Sequence, residues 1–178
     1  MLFKTSLVIS LAASVLALPA SVDQRKTKRA DVLKVQNYAD FQVSDGVAGN
    51  ALGEVDANFP IDTSDLANVS DNDLAIIKSA RETAEAAETD KGGFNDAIEQ
   101  AGEDTAAGKA LQVGKIKNKV LKLRLEVLAL QIEQAQGGKD NSDKIEEEQT
   151  KLNNNIQLDT KAKGQPSQSV DFQGDDAP

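Results

Sequence analysis

The sequence predicts an all-α fold: a helical bundle of four to five helices around one long central helix over about residues 105–136, with a flexible C-terminal tail. Aromatic residues make up only 3% of the chain, so the core must come from Leu, Ile, Val and Ala, which fill the space between helices more readily than a sheet sandwich. The segment 105–136 carries apolar residues at helical spacing on two faces. Glycine pairs and N-cap residues then divide the rest of the chain into helix-length pieces.

Residues 30–42 mix Val32, Leu33, Val35, Tyr38 and Phe41 with polar neighbours and read as a short strand or an extended lead-in. Ser44 or Asp45 is expected to cap a first helix, glycine-weakened, in which Ala48, Leu52, Val55 and Phe59 recur at helical spacing until Pro60 stops it. Ser70-Asp71-Asn72-Asp73 opens a second helix that runs to about Asp90, with Leu74, Ile77, Ala80, Ala84 and Ala87 on one face. Small residues there let a neighbouring helix approach closely. Gly92-Gly93 ends it, and a brief helix around 94–101 follows.

In the long segment, Val113, Ile116, Val120, Leu123, Val127 and Leu130 form one stripe, and Leu121, Leu125, Leu128 and Ile132 form another nearly opposite. Two apolar faces on one helix require neighbours on both sides. Polar strips separate them, one with Lys115, Lys119, Lys122, Glu126 and Glu133, the other with Lys117, Arg124 and Gln131. Gly137-Gly138 and the loop to Ser142 turn the last helix back antiparallel, with Ile145, Leu152 and Ile156 as its stripe. The helical domain is thus expected over 30–163. Residues 164–178, rich in Gln, Ser, Gly, Asp and Pro, read as the flexible tail, with Val170 and Phe172 able to tack it down.

The first segment reads as an export signal over residues 1–17. Lys4 gives the positive start, residues 7–18 an apolar run, and Val15 and Ala17 the small residues of a cleavage site after Ala17. That run falls far short of the ~20 apolar residues that span a bilayer, so no transmembrane segment is expected. Residues 18–29 then read as a propeptide ending in the dibasic pair Lys28-Arg29, a substrate for kexin-type processing. The alternative is an exposed basic linker. Removal of residues 1–29 takes away five basic and one acidic side chain, leaving 15 against 28 and moving the formal charge from −9 to −13. So acidic a chain argues against nucleic acid and anionic lipid as partners. It also has no cysteine, so an exported chain must stand on its core alone.

Histidine and tryptophan are absent as well, which removes the commonest general base, and with cysteine the commonest metal ligands and thiol nucleophile. We read the chain as non-enzymatic, with no cofactor and no metal. Carboxylate pairs of the glycosidase kind are guaranteed by 29 acidic residues and therefore carry no signal. Asp62, Asp65, Asp71 and Asp73 lack the Gly and Glu spacing of a calcium loop and read as N-caps and solvated loop charges. Asn68-Val69-Ser70 matches the N-glycosylation pattern at Asn68, although Ser70 also reads as a helix cap. From 105 to 125 there is no acidic residue, while Lys109, Lys115, Lys117, Lys119, Lys122 and Arg124 are basic. Acidic faces such as Glu82, Glu85 and Glu88, or 146–148, can neutralise that band; an acidic partner is the alternative.

Three runs, 38–52 (Tyr38-Ala39-Asp40-Phe41 onward, through Gly49-Asn50-Ala51-Leu52), 111–123 (Leu111-Gln112-Val113-Gly114-Lys115 onward) and 148–156 (Glu148-Gln149-Thr150-Lys151-Leu152 onward), resemble those of a cysteine-free small secreted protein family of filamentous fungi. The resemblance implies export and a non-catalytic role at the interface with a host, and it carries over no functional residue. A looser likeness of size and helix pattern is to helical fungal cell-wall mannoproteins and hydrophobic-surface-binding proteins, which hold lipids. The expected function is therefore that of a secreted, extracellular interaction protein, effector- or elicitor-like, acting by binding an unknown protein. The alternative is a carrier of a lipid or other hydrophobic ligand between helices.

Overall fold

The structure, a computed structural model, describes residues 28–173. In chain order these form α1 (Tyr38–Phe41), β1 (Gly46–Val47), α2 (Ala51–Asn58), a 3-10 segment (Thr63–Asn68), α3 (Asp71–Thr89), α4 (Phe94–Ala101), α5 (Ala106–Ala135), α6 (Ser142–Lys161) and β2 (Pro166–Ser167). Five of the helices have eight residues or more, and the 30-residue α5 is the centre around which the others pack. The fold is a helical bundle, with one two-stranded antiparallel ladder in which Gly46 faces Ser167.

Most of both stripes of α5 is covered. Leu121, Leu125, Leu128 and Ile132 join Ile77, Ala80, Ala84 and Ala87 of α3 and Tyr38, Phe41 and Phe59 in the main core. Val120, Leu123 and Val127 meet Leu152, Ile145 and Ile156 of α6 and Ala51 and Leu52 of α2. The alanine face of α3 lets it lie close to α5, which is the packing that small residues allow. Phe94, Ile98 and Leu111 make a smaller cluster under α4.

Helix α3 begins as its cap predicts, the Ser70 hydroxyl accepting from Asp73 N at 3.0 Å. The first helix begins later than predicted. Ser44 and Asp45 do not cap it, because Gly46 (φ +87°) and Gly49 (φ +115°) lie in the left-handed region and a helix cannot run through them. Instead the buried Asp159 of α6 caps α2 from outside, accepting from Gly49 N at 2.8 Å and Ala51 N at 2.9 Å. The lead-in is neither strand nor plain extension: it contains the single turn α1 and is pinned by buried Asp73, which accepts from Leu33 N at 2.8 Å and Val32 N at 3.0 Å.

Residues 164–173, which composition assigns to the flexible tail, lie as a strap along α5. Gln168 N donates to Ala110 O at 3.1 Å, the Ser167 hydroxyl donates to Ser44 O, Val170 packs against two of the core clusters, and Phe172 sets its edge on Tyr38 at 6.0 Å. The close approach demands Gly114: a Cβ there would stand 2.0 Å from Gln168 O. Residues 174–178 lie outside the described residues.

Candidate functional site: a groove beside an arginine niche

Lys117, expected on a polar strip between the two apolar faces, is completely buried. Its three ammonium protons find Glu54 Oε2 at 2.8 Å, Asp45 O at 3.0 Å and Val47 O at 3.1 Å, so the charge fastens the β1 turn and α2 to α5. Next to it the buried Asn118 accepts from Tyr38 Oη at 2.8 Å and donates to Ala84 O at 2.7 Å. Burial pushes the Tyr38 phenol up to about 12 against the pull of the nearby Ser44 and Ser169 hydroxyls. This polar pair holds the core in register and offers nothing to a ligand, since its donors and acceptors face one another inside the protein.

Much of the basic band on α5 is neutralised in place. Lys119 and Lys122 each reach Glu88 at 3.1 Å, and Arg124 reaches Asp56 at 2.8 Å. Burial pushes the Glu88 carboxyl up, but Lys122 and Lys119 together outweigh it and hold the group below its ordinary value. Glu147 and Glu148 pair instead with Lys144 and Lys151 of their own helix.

Two open grooves flank α6. One, of about 730 Å³ between α4, α5 and α6, is lined by Ile116, Ile98 and Leu158 among charged side chains such as Glu99, Glu103, Lys115 and Lys119. The other, of about 870 Å³, lies between the 3-10 segment, the end of α5 and the start of α6. Its lining is mostly uncharged: Leu66, Gln131, Gln134, Ile145 and Gln149 contribute, and Glu146 is the one formal charge. In a chain with 28% charged residues that is an unusual surface, mixing apolar side chains with amides that both donate and accept.

The dibasic pair is held by residues next in sequence to this second groove's lining: Asp62 and Asp65 adjoin Thr63 and Leu66, and Gln136 adjoins Ala135. Arg29 donates from Nη1 to Asp62 Oδ2 at 3.0 Å and from Nη2 to the carbonyls of Asp65 at 2.7 Å and Asp62 at 3.3 Å, while its main-chain N donates to Asn68 O at 2.7 Å. Lys28 pairs with Asp71 and reaches Gln136 Oε1 at 3.3 Å. Asn68 is half-buried, and Nδ2, the atom to which a glycan attaches, donates to Asp65 Oδ1 at 2.9 Å. Two of the predicted site features, Lys28-Arg29 and Asn68, are therefore brought together. Ala17 lies outside the described residues. The aspartates at 62, 65, 71 and 73 serve as partners of Arg29, Lys28 and main-chain amides, and among the described residues no group of three or more His, Cys, Asp or Glu is placed to hold a metal. Nor is any helix among them long and apolar enough to cross a membrane.

A family model described as a domain of unknown function, DUF8454, matches residues 33–171, more than three quarters of the chain. The chain belongs to this family. The matched span runs from the segment pinned by Asp73 to the strap on α5, so it takes in all six helices and both walls of each groove. No curated protein and no solved structure matches the chain.

Proposed function

We propose that the chain is an exported, non-enzymatic interaction protein, effector- or elicitor-like, that works by binding a partner outside the producing cell. The observation that carries this reading is the groove between the 3-10 segment, α5 and α6: open, about 870 Å³, and almost uncharged on a strongly acidic molecule. An open groove lined by apolar and amide side chains suits a polypeptide segment better than a small molecule that needs enclosure. Support for export comes from the sequence of residues 1–29 and from the fungal resemblance. The carrier reading takes second place, since most of both stripes of α5 is covered by other side chains.

The test compares purified wild-type chain with an Ile145→Arg/Gln149→Arg variant, each applied outside host cells, alongside deletion of the gene during colonisation. A response to wild type that the groove variant loses, with its helical circular dichroism unchanged, is the expected result. Equal responses to both proteins count against the groove, and no response together with no deletion phenotype ends the effector reading.

A further inference from the structure

Next in the chain to the groove's lining stands an acceptor-only niche with a guanidinium already seated in it. Around Arg29 stand the Asp62 carboxylate, the Asp65 carboxylate at 3.8 Å from Nε, and the main-chain carbonyls of Asp62, Asp65 and Asn68. Arg29 is not the only group that fixes these acceptors. Asp62 is fixed by Ser64, whose hydroxyl and amide donate to Oδ1 at 2.6 and 3.0 Å; Asp65 is fixed by Asn68 Nδ2 at 2.9 Å. A kink at Asp65 (φ −141°, ψ 54°) takes its carbonyl out of the helical run, and it accepts from Arg29 instead. Ser64 holds the Asp62 carboxyl below its ordinary range, with Arg29 adding to the effect, so the niche keeps its negative charge with or without an occupant. Acceptors preset in this way cost little to fill.

The occupant, however, belongs to a segment that the sequence marks for removal. Cleavage after Arg29 would take Lys28 and Arg29 away from a domain carrying a formal charge of −13, leaving fixed acceptors facing solvent. Thr63 and Leu66, next in the chain to Asp62 and Asp65, line the groove together with Gln134 and Gln149. Gln136, which touches Lys28, donates its Nε2 to Val69 O at 2.9 Å and so ties the niche to the end of α5.

We propose that the processed chain binds an extended basic peptide of its partner, with one arginine in the Asp62–Asp65 niche and the adjoining residues along the groove, and that the chain's own Lys28-Arg29 blocks this site until it is cut away. This rests on the groove reading above and on processing after Arg29. The forked guanidinium matches a carboxylate flanked by carbonyls, which a lysine ammonium cannot span, so the niche selects arginine. Amide side chains along the groove then meet the main chain of the peptide without regard to its sequence.

The probe is a fluorescent peptide with the sequence of residues 24–29, Gln24-Arg25-Lys26-Thr27-Lys28-Arg29, followed by anisotropy against the whole secreted chain before and after digestion with a kexin-type protease. We expect the digested chain to bind at least about tenfold more tightly than the undigested one, and an Arg29→Ala peptide to lose about tenfold. An Asp62→Asn/Asp65→Asn chain should lose binding by a similar factor, and added salt should weaken it. Equal binding before and after digestion, indifference to the aspartate variant, or unfolding of the chain on digestion would each overturn the proposal. The Ile145→Arg/Gln149→Arg chain separates this inference from the groove reading: if it binds the peptide as wild type does, the niche acts alone and the extended mode is wrong. Mass analysis of protein from medium tests the processing step itself, since a chain that always retains Lys28-Arg29 keeps its site blocked and contradicts the regulatory half.

Discussion

Replacing Lys117 by methionine removes a charge from the middle of the bundle while keeping nearly the same volume and stem. The side chain is 1% exposed and its ammonium has a full set of three acceptors, so the variant leaves the Asp45 and Val47 carbonyls and the Glu54 carboxylate without their donor. Breaking a buried pair from one side costs about 3–5 kcal/mol. Glu54 is 35% exposed and can rehydrate, which brings the expected loss down to about 2–4 kcal/mol. For a domain of this size that is a fall in Tm of about 6–12 °C. With no tryptophan in the chain, urea unfolding followed by far-UV circular dichroism is the assay, and the midpoint should fall with the slope unchanged. A second variant, Lys117→Met with Glu54→Gln, should be destabilised by about 1 kcal/mol less than the two single changes added together, because no lone carboxylate remains. A loss below about 0.5 kcal/mol for Lys117→Met would refute the claim that this ammonium fastens α2 and the β1 turn to α5.

Three further predictions test other parts of the scaffold. Tyr38 is the only tyrosine, so tyrosinate absorbance reports it alone; its ionisation should centre near pH 12 in the folded chain. Because the folded value lies above the unfolded one of 10.0, the contribution is complete below pH 10 and is lost as pH rises towards 12, about 2–3 kcal/mol in all. Tyr38→Phe should flatten that part of the stability profile, and an unshifted titration would contradict burial of the phenol. Asp159→Ala strips the half-buried amide of Gly49 and the buried amide of Ala51 of a charged acceptor and should cost about 2–3 kcal/mol by urea unfolding, whereas a change within about 0.5 kcal/mol would mean that α2 needs no outside cap. Gly114→Ala drives a methyl group into Gln168 O; the strap should lift, with faster proteolysis within 164–173 and about 1–3 kcal/mol lost, and an unchanged digestion pattern would show that the strap is not held there.

The bundle was legible because its signals are local. Stripe spacing on α5, the small residues of α3 and the Ser70 cap all act within a turn or two of helix, and each element formed where those signals placed it. Signals of longer reach were missed. Asp159 caps α2 across 108 residues, so the acceptor that starts the helix at Ala51 was invisible locally, although Gly46 and Gly49 were a nearby hint against Ser44. Lys117 was placed on a polar strip; that it is buried, one helical turn from both Val113 and Leu121, becomes explicable only with the arrival of Glu54 from α2. The strap was read as tail because its composition is polar; main-chain bonds to Ala48 and Ala110 and the Ser167 hydroxyl on Ser44 O hold it, together with Val170 and Phe172. Of the candidate site, the dibasic pair and Asn68 were visible as motifs. Their meeting was not, since Arg29 and Asp62 lie 33 residues apart and no periodicity links them.

The central claim is that this molecule works through the groove beside the Asp62–Asp65 niche. Nuclear magnetic resonance on isotope-labelled chain cleaved after Arg29, titrated with the peptide of residues 24–29, tests it most directly. The account predicts shifts confined to the amides of Asp62, Asp65, Leu66 and Asn68 and to the side-chain amides of Gln134 and Gln149. Shifts centred on Ile98, Lys115 and Leu158 in the other groove, or none at all, would contradict it.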